Sequence, residues 1–246
     1  MMKQLRGGRN TYGEIIGVIM TERRFPRIPG DMGNATTFKF PVRFQVVKGH
    51  DVTARWRVLA GDRQFVDPFI QAAKELELEG VRAITSNCGF LILYQDDLAD
   101  AVHVPVFASP LLQIPMVHRM LRKDQKIGVL TADASPQGVG KKHIEAAGAG
   151  HLPVVIMGME KSEGFKPYVE DGDILFPEKA RADLIDAART LTRQNPDIGA
   201  FVLECGNMPA YSKSIQEAVN LPVFDALTLV NFVHSAVVKD EIRGCM

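Results

Sequence analysis

Short runs of β-branched and apolar residues recur along the chain: EIIGVIM (14–20), VRAITS (81–86), VPVFAS (104–109), KIGVLTA (126–132), VVIMGM (154–159), IGAFVLE (198–204) and LPVFDA (221–226). Most are continuous rather than alternating, the pattern of strands covered on both faces of a parallel sheet. Between them, apolar residues fall at helical spacing. From Asp67 to Glu79, Phe69, Ile70, Ala73 and Leu76 make one stripe, with Asp67 the expected N-cap, Pro68 at the first helical position and Gly80 the closing glycine. Ser135-Pro136 predicts a helix reaching about Ala147 and closed by Gly148. Residues 178–194 place Leu184, Ile185, Ala188 and Leu191 on one face and stop before Pro196. This alternation specifies an α/β protein with parallel sheets. Residues 21–62 break it: they are rich in Pro, Gly and Arg and contain RFPRIPGDMGN, a segment too long for a simple connector and so a candidate active-site element.

The chain carries a weak internal duplication. EIIGVIM and KIGVLTA each open a unit, and each unit later reaches a strand running directly into Cys-Gly, at SNCG (86–89) and ECGN (204–207). Two α/β lobes of similar build follow: 14–110 together with 210–246, and 111–209, with 1–13 a short basic tail and the segment from about 210 returning to the first lobe.

In an open parallel sheet, ligands bind beyond the carboxyl ends of the strands. A cysteine there lies near the start of the next helix, where the dipole and free N–H groups favour thiolate, and the adjacent glycine permits close backbone approach. Facing lobes would bring Cys88 and Cys205 to one cleft from opposite sides. One thiolate could then remove a proton from a carbon acid while the other thiol returns one to the opposite face, with backbone N–H groups holding a carboxylate and stabilising enolate-like charge. The competing reading of each cysteine is a small buried hydrophobe. Two cysteines in the same strand-end context favour chemistry, whereas Cys245 has no such context.

The paired Cys corners of a duplicated α/β chain resemble the cofactor-independent aspartate/glutamate/hydantoin racemase superfamily. The resemblance covers most of the chain from Glu14 onward and is specific at the corners. It implies two pseudo-symmetric doubly wound lobes with the active site between them, and Cys88 and Cys205 as paired acid and base. It also implies substrate contacts around Ser86, Asn87, Gly89, Gly206 and Asn207, a substrate contact at Thr131, no cofactor, and a homodimer. The expected reaction is racemisation or epimerisation of a small carboxylate-bearing substrate, an amino acid or hydantoin. A one-thiol decarboxylase or cis-trans isomerase on the same scaffold is the alternative, and a non-enzymatic two-lobe binding protein a third. The sequence departs from glutamate and aspartate racemases, which carry Asn-Thr or Thr-His beside their cysteines; here the neighbours are Gly-Phe and Gly-Asn.

Asp31 and Asn34, in PGDMGN, are expected to meet the substrate or orient a thiol, with turn formation the competing role. Arg23, Arg24 and Arg27 could clamp a carboxylate but read first as a solvated cluster. Glu204, beside Cys205, would hold that thiol protonated or pair with an arginine. Tyr211 reads as a half-buried helix residue. The six histidines form no short-spaced pair with each other or with cysteine, so no zinc site is expected. Phosphate-loop, dinucleotide and nucleophile-elbow motifs are lacking, and GVGKKH (138–143) falls within the helix expected after Ser135-Pro136. Lys plus Arg and Asp plus Glu number 29 each, which argues against nucleic acid or an anionic membrane as partner. No apolar run approaches the roughly 20 residues of a membrane span. The basic N-terminus lacks a secretory signal pattern and three cysteines make no disulfide framework, so a cytoplasmic setting is expected.

Overall fold

The computed structural model describes residues 7–9, 11–49, 57–242 and 244; Cys245 and most of the tail expected over 1–13 lie outside these. Two four-stranded parallel sheets form the frame. The first contains β1 (Ile16–Thr21), β2 (Val42–Val47), β3 (Ala83–Ser86) and β4 (Val106–Phe107) in the order β2-β1-β3-β4. The second contains β5 (Lys126–Thr131), β6 (Val154–Gly158), β7 (Ile198–Leu203) and β8 (Val223–Phe224) in the order β6-β5-β7-β8. The two sheets therefore repeat one topology, and in each the strand order reverses beside the opening strand. That reversal opens a crevice between β1 and β3 in one lobe and between β5 and β7 in the other.

The continuous apolar runs form the central strands. Every residue of β1, β3 and β7 is buried, as two-sided coverage demands. Along β1 the side chains part by period two: Ile19 joins the cluster beneath α1 (Val66–Glu79), with Phe69, Ala73 and Leu76, while Ile16, Val18 and Met20 meet Ala226, Leu229 and Val230 on the opposite face. Those last three belong to α8 (Ala226–Val237). The second sheet packs against α6 (Pro177–Gln194) through Ala180, Leu184, Ala188 and Leu191.

Four expectations are corrected. β2 lies inside 21–62, the stretch that broke the alternation; it is an edge strand, VRFQVV, mostly half-buried, so its hydrophobic signal is diluted. α1 has Phe65 at its N-cap and no side-chain cap; the capping carboxylate is Asp62, which accepts from the Gln64 N–H at the head of the preceding 3₁₀ turn (Arg63–Phe65), so Asp67 falls within the first turn; Gly80 closes the helix at φ 93° as expected. The helix expected from Ser135 begins only at Lys141, giving α4 (Lys141–Ala146), because Asp133 captures the preceding backbone: its side chain accepts from Ser135 N and its carbonyl from Val139 N. Residues 210–224 stay with the second sheet, through α7 (Ser212–Val219) and β8 paired to β7; among the described residues the return to the first sheet is made by α8.

Candidate active site

The two Cys-Gly corners meet at the facing ends of β3 and β7. Each corner is held by the last residue of its lobe's opening strand. Thr21 ends β1, and its backbone N–H and hydroxyl reach Asn87 Oδ1 at 2.9 and 3.3 Å. Thr131 ends β5, and its hydroxyl donates to Glu204 Oε2 at 2.7 Å. The residue before each cysteine is thus clamped by a threonine in the same position, an amide in one lobe and a carboxyl in the other.

The glycines show why both corners need them. A Cβ on Gly89 would lie 2.2 Å from Glu204 Oε1 and 2.3 Å from the Glu204 carbonyl. A Cβ on Gly206 would lie 2.4 Å from the Asn87 carbonyl oxygen. Each glycine therefore seats the residue preceding the other lobe's cysteine. The sequence reading gave the glycines to close approach of a ligand; here the approaching group is the opposite corner.

Cys88 is half-buried and Cys205 is 9% exposed, and both line one small cavity of about 40 Å³, room for a few water molecules. Thr21, Arg23, Phe25, Leu59, Asn87, Gly89 and Phe90 from the first lobe and Ala132, Tyr168, Glu204 and Asn207 from the second complete the wall. Neither corner leads directly into an α-helix. Cys88 caps a 3₁₀ turn (Gly89–Tyr94) and Asn207 caps another (Met208–Tyr211), followed by α2 (Gln95–Asp100) and by α7.

The thiols have unlike surroundings. Burial, reinforced by the neighbouring Glu204 carboxyl, pushes the Cys205 thiol well above its ordinary value. Its S–H donates to Asn207 Oδ1 at 3.1 Å, and Asn207 Nδ2 donates to Asp31 Oδ2 at 2.6 Å. Asp31 is fully buried, and its other oxygen takes Arg27 Nη1 at 2.8 Å and Gly33 N at 2.7 Å. Met32 N–H donates to the Gly206 carbonyl at 2.9 Å. The Pro/Gly/Arg-rich segment thus crosses from the first lobe and fastens the second lobe's corner. Around Cys88, the single Ser86 hydroxyl hydrogen has the carbonyls of Ala108 and Cys88 within reach at 2.7 and 2.9 Å, and Ser86 Oγ accepts from the Cys88 N–H at 3.2 Å.

Glu204 is fully buried with Oε1 unpartnered, and desolvation raises its carboxyl to about 7. At neutral pH it is divided between acid and anion.

Of the predicted site residues, Cys88, Cys205, Asn87, Gly89 and Asn207 line the cavity. Asp31, Ser86, Thr131 and Gly206 stand behind it and position those that do. Asn34 is elsewhere: it caps the turn Ala35–Thr37 and donates to the Arg27 carbonyl, the turn role that competed with substrate binding. The arginine cluster divides, with Arg23 on the cavity, Arg24 N–H on Asp171, and Arg27 committed to Asp31 and stacked over Phe25 at 4.6 Å. Tyr211 is fully buried and shares a hydrogen bond with Tyr168 at 3.0 Å. Thr21, Phe25, Phe90 and Tyr168 were not anticipated. Thr21 carried a readable signal, since it ends β1 as Thr131 ends β5; the aromatics depend on how distant loops cross.

The family profile described as Asp/Glu/Hydantoin racemase matches residues 37–230. A dimethylsulfoniopropionate lyase from Durusdinium sp. clade D is 28% identical over 225 residues, covering 88% of this chain and 73% of that protein. A second such lyase, from Emiliania huxleyi, is 29% identical over 93% of this chain, which spans only 46% of its length. Unliganded arylmalonate decarboxylase shares the fold at a TM-score of 0.58 with 13% identity, over 94% of both chains. A glutamate racemase isoform from Bacillus anthracis does so at 0.57 with 17% identity, over 93% of this chain and 85% of that one. With two matching sheets, paired Cys-Gly corners and a profile spanning most of its length, the chain belongs to the Asp/Glu/hydantoin racemase family.

Proposed function

We propose that this chain is a cysteine-dependent lyase that removes a proton from the carbon beside a carboxylate and expels a leaving group from the next carbon. The observation that carries this reading is the inequality of the thiols. A two-base racemase needs them to exchange roles, whereas here burial holds Cys205 as the thiol and leaves Cys88 the more accessible of the pair. Elimination needs only one base.

In this scheme Cys88 thiolate takes the α-proton, the α,β double bond forms, and the electron pair of the breaking bond departs with the leaving group. As charge develops, Cys205 turns its single S–H from Asn207 Oδ1 to the substrate. The similarity to dimethylsulfoniopropionate lyases suggests a β-sulfonium propionate, which would yield a dialkyl sulfide and acrylate. The cavity chemistry suits such a molecule: Arg23 complements a carboxylate, and the rings of Phe25, Phe90 and Tyr168 suit an onium group by cation–π attraction.

Racemisation is the second reading, favoured by the placement of both thiols on one cavity in topologically equivalent positions. Proton NMR in D₂O separates the two. With dimethylsulfoniopropionate, vinyl signals of acrylate are expected, together with their loss in Cys88→Ala. Washout of the α-proton from an amino acid or hydantoin with its skeleton intact, and no vinyl signal from any β-substituted propionate, would overturn the lyase reading in favour of the racemase.

A further inference from the structure

Glu204 has a buried oxygen without a hydrogen-bond partner among the described residues. Thr131 donates to Oε2, and the main-chain N–H of Ala132 also favours the carboxylate oxygen charge, whereas Oε1 makes no hydrogen bond. With Thr131 donating to Oε2, the neutral carboxyl carries its proton on Oε1, a donor without an acceptor among the described residues. Leaving such a group unsatisfied in a buried site is costly, so its position needs a reason. Oε1 rests against Gly89, at the seam between the corners, and both Glu204 and Gly89 line the cavity with the two thiols.

We propose that Glu204 is a further catalytic residue, a neutral acid whose Oε1–H donates a hydrogen bond to the substrate carboxylate and strengthens it as enolate charge builds on that oxygen. The assignment rests on the carbon-acid reading above. No proton is transferred: the hydrogen stays on Glu204, and the substrate oxygen supplies the missing acceptor. Donors aimed at developing charge in a dry site are among the largest catalytic contributions. The position of Gly89 supports it, because any side chain there would occupy the space beside Oε1.

The titratable and charged groups around Glu204 are Asp133 beyond Thr131, Cys205 beside it, and Cys88, Tyr168 and Arg23 on the cavity. Desolvation is the first cause of the raised carboxyl and Asp133 adds to it, while the Thr131 and Ala132 hydrogen bonds oppose it. With the carboxyl near 7, the donor is intact in mild acid and lost as pH rises through neutrality. Turnover should therefore decline on the alkaline side.

The test uses Glu204→Gln, which keeps an uncharged donor, and Glu204→Leu, which keeps volume only. Glu204→Gln should retain kcat within about tenfold and lose the decline above neutrality, while Glu204→Leu should lose kcat by about 100-fold or more. A Glu204→Gln variant as inactive as Glu204→Leu, or a Glu204→Leu variant with near wild-type kcat, would overturn the proposal. A second readout needs neither turnover nor the Leu variant to fold. In infrared difference spectra of wild type against Glu204→Gln, the neutral carboxyl C=O band should shift when acrylate or propionate is added. A static band overturns the assignment. A shifting band in a protein that eliminates nothing sinks the lyase reading alone.

Discussion

Glu204 makes a contribution to stability that changes with pH. Its carboxyl sits at about 7 in the folded protein against an ordinary 4.5, so the native chain keeps a proton that the unfolded chain has released across that interval. The group stabilises the fold fully below the lower value and loses that contribution as pH rises to the upper one, a swing of about 3 kcal/mol. Urea denaturation of wild type and Glu204→Gln should show the variant gaining about 2–3 kcal/mol relative to wild type between about pH 5 and about pH 8. The seam glycines set a second limit at this scale. Gly89→Ala places a methyl 2.2 Å from Glu204 Oε1, and its melting midpoint should fall by the equivalent of about 1–3 kcal/mol with activity lost as the corners part. The cysteines were legible in the sequence because a strand running into Cys-Gly occurs twice. The glycine contacts were not, since they join residues more than a hundred positions apart.

Among the elements, the segment between β1 and β2 couples the lobes through Asp31, which an ion pair with Arg27 holds in place. Arg27 is 13% exposed and Asp31 fully buried, and Asp31 also holds Asn207 against Cys205. Asp31→Ala leaves a guanidinium without its partner and should cost about 3–5 kcal/mol by chemical denaturation. Arg27→Met with Asp31→Leu should recover part of that stability but not the activity, because Asn207 then loses its anchor. A second tie joins α4 to the first lobe. His143 Nδ1 accepts from Gly140 N–H at 3.2 Å, which assigns the ring hydrogen to Nε2, facing the Leu59 carbonyl at 3.3 Å. Burial pushes His143 down to about 4, so this tie stabilises the fold above about 6.5 and weakens as pH falls towards the lower value. Leu59 lines the cavity, so His143→Leu should raise KM more than it lowers kcat. Element identity was readable wherever coverage was complete, as in β1, β3 and β7. It failed at β2, whose edge position halves the burial, and at Ser135, where the Asp133 side chain captured a backbone amide before a helix could start.

For the whole molecule, the two sheets repeat one topology and share one cavity, formed where their switch points face. The duplication was visible from the repeated opening strand and repeated corner. The asymmetry between the corners was visible only as Asn87 against Glu204, and seeing that both are clamped by matching threonines required the structure. Because the corners pack directly on each other and Met32 bridges to Gly206, the lobes should unfold together. Calorimetry and circular dichroism should give one coincident transition, and Gly89→Ala should broaden or divide it.

That reciprocal seating also constrains how such a chain can change over time. Each glycine is moulded to the residue preceding the other lobe's cysteine, so neither half carries a self-contained corner. A recombinant taking one lobe from a distant relative would inherit half of two contacts and complete neither. Functional chimeras should appear only when the segments around 87–89 and 204–206 are exchanged together, whatever crossover point is chosen elsewhere. The duplicated halves are in that sense a single heritable unit.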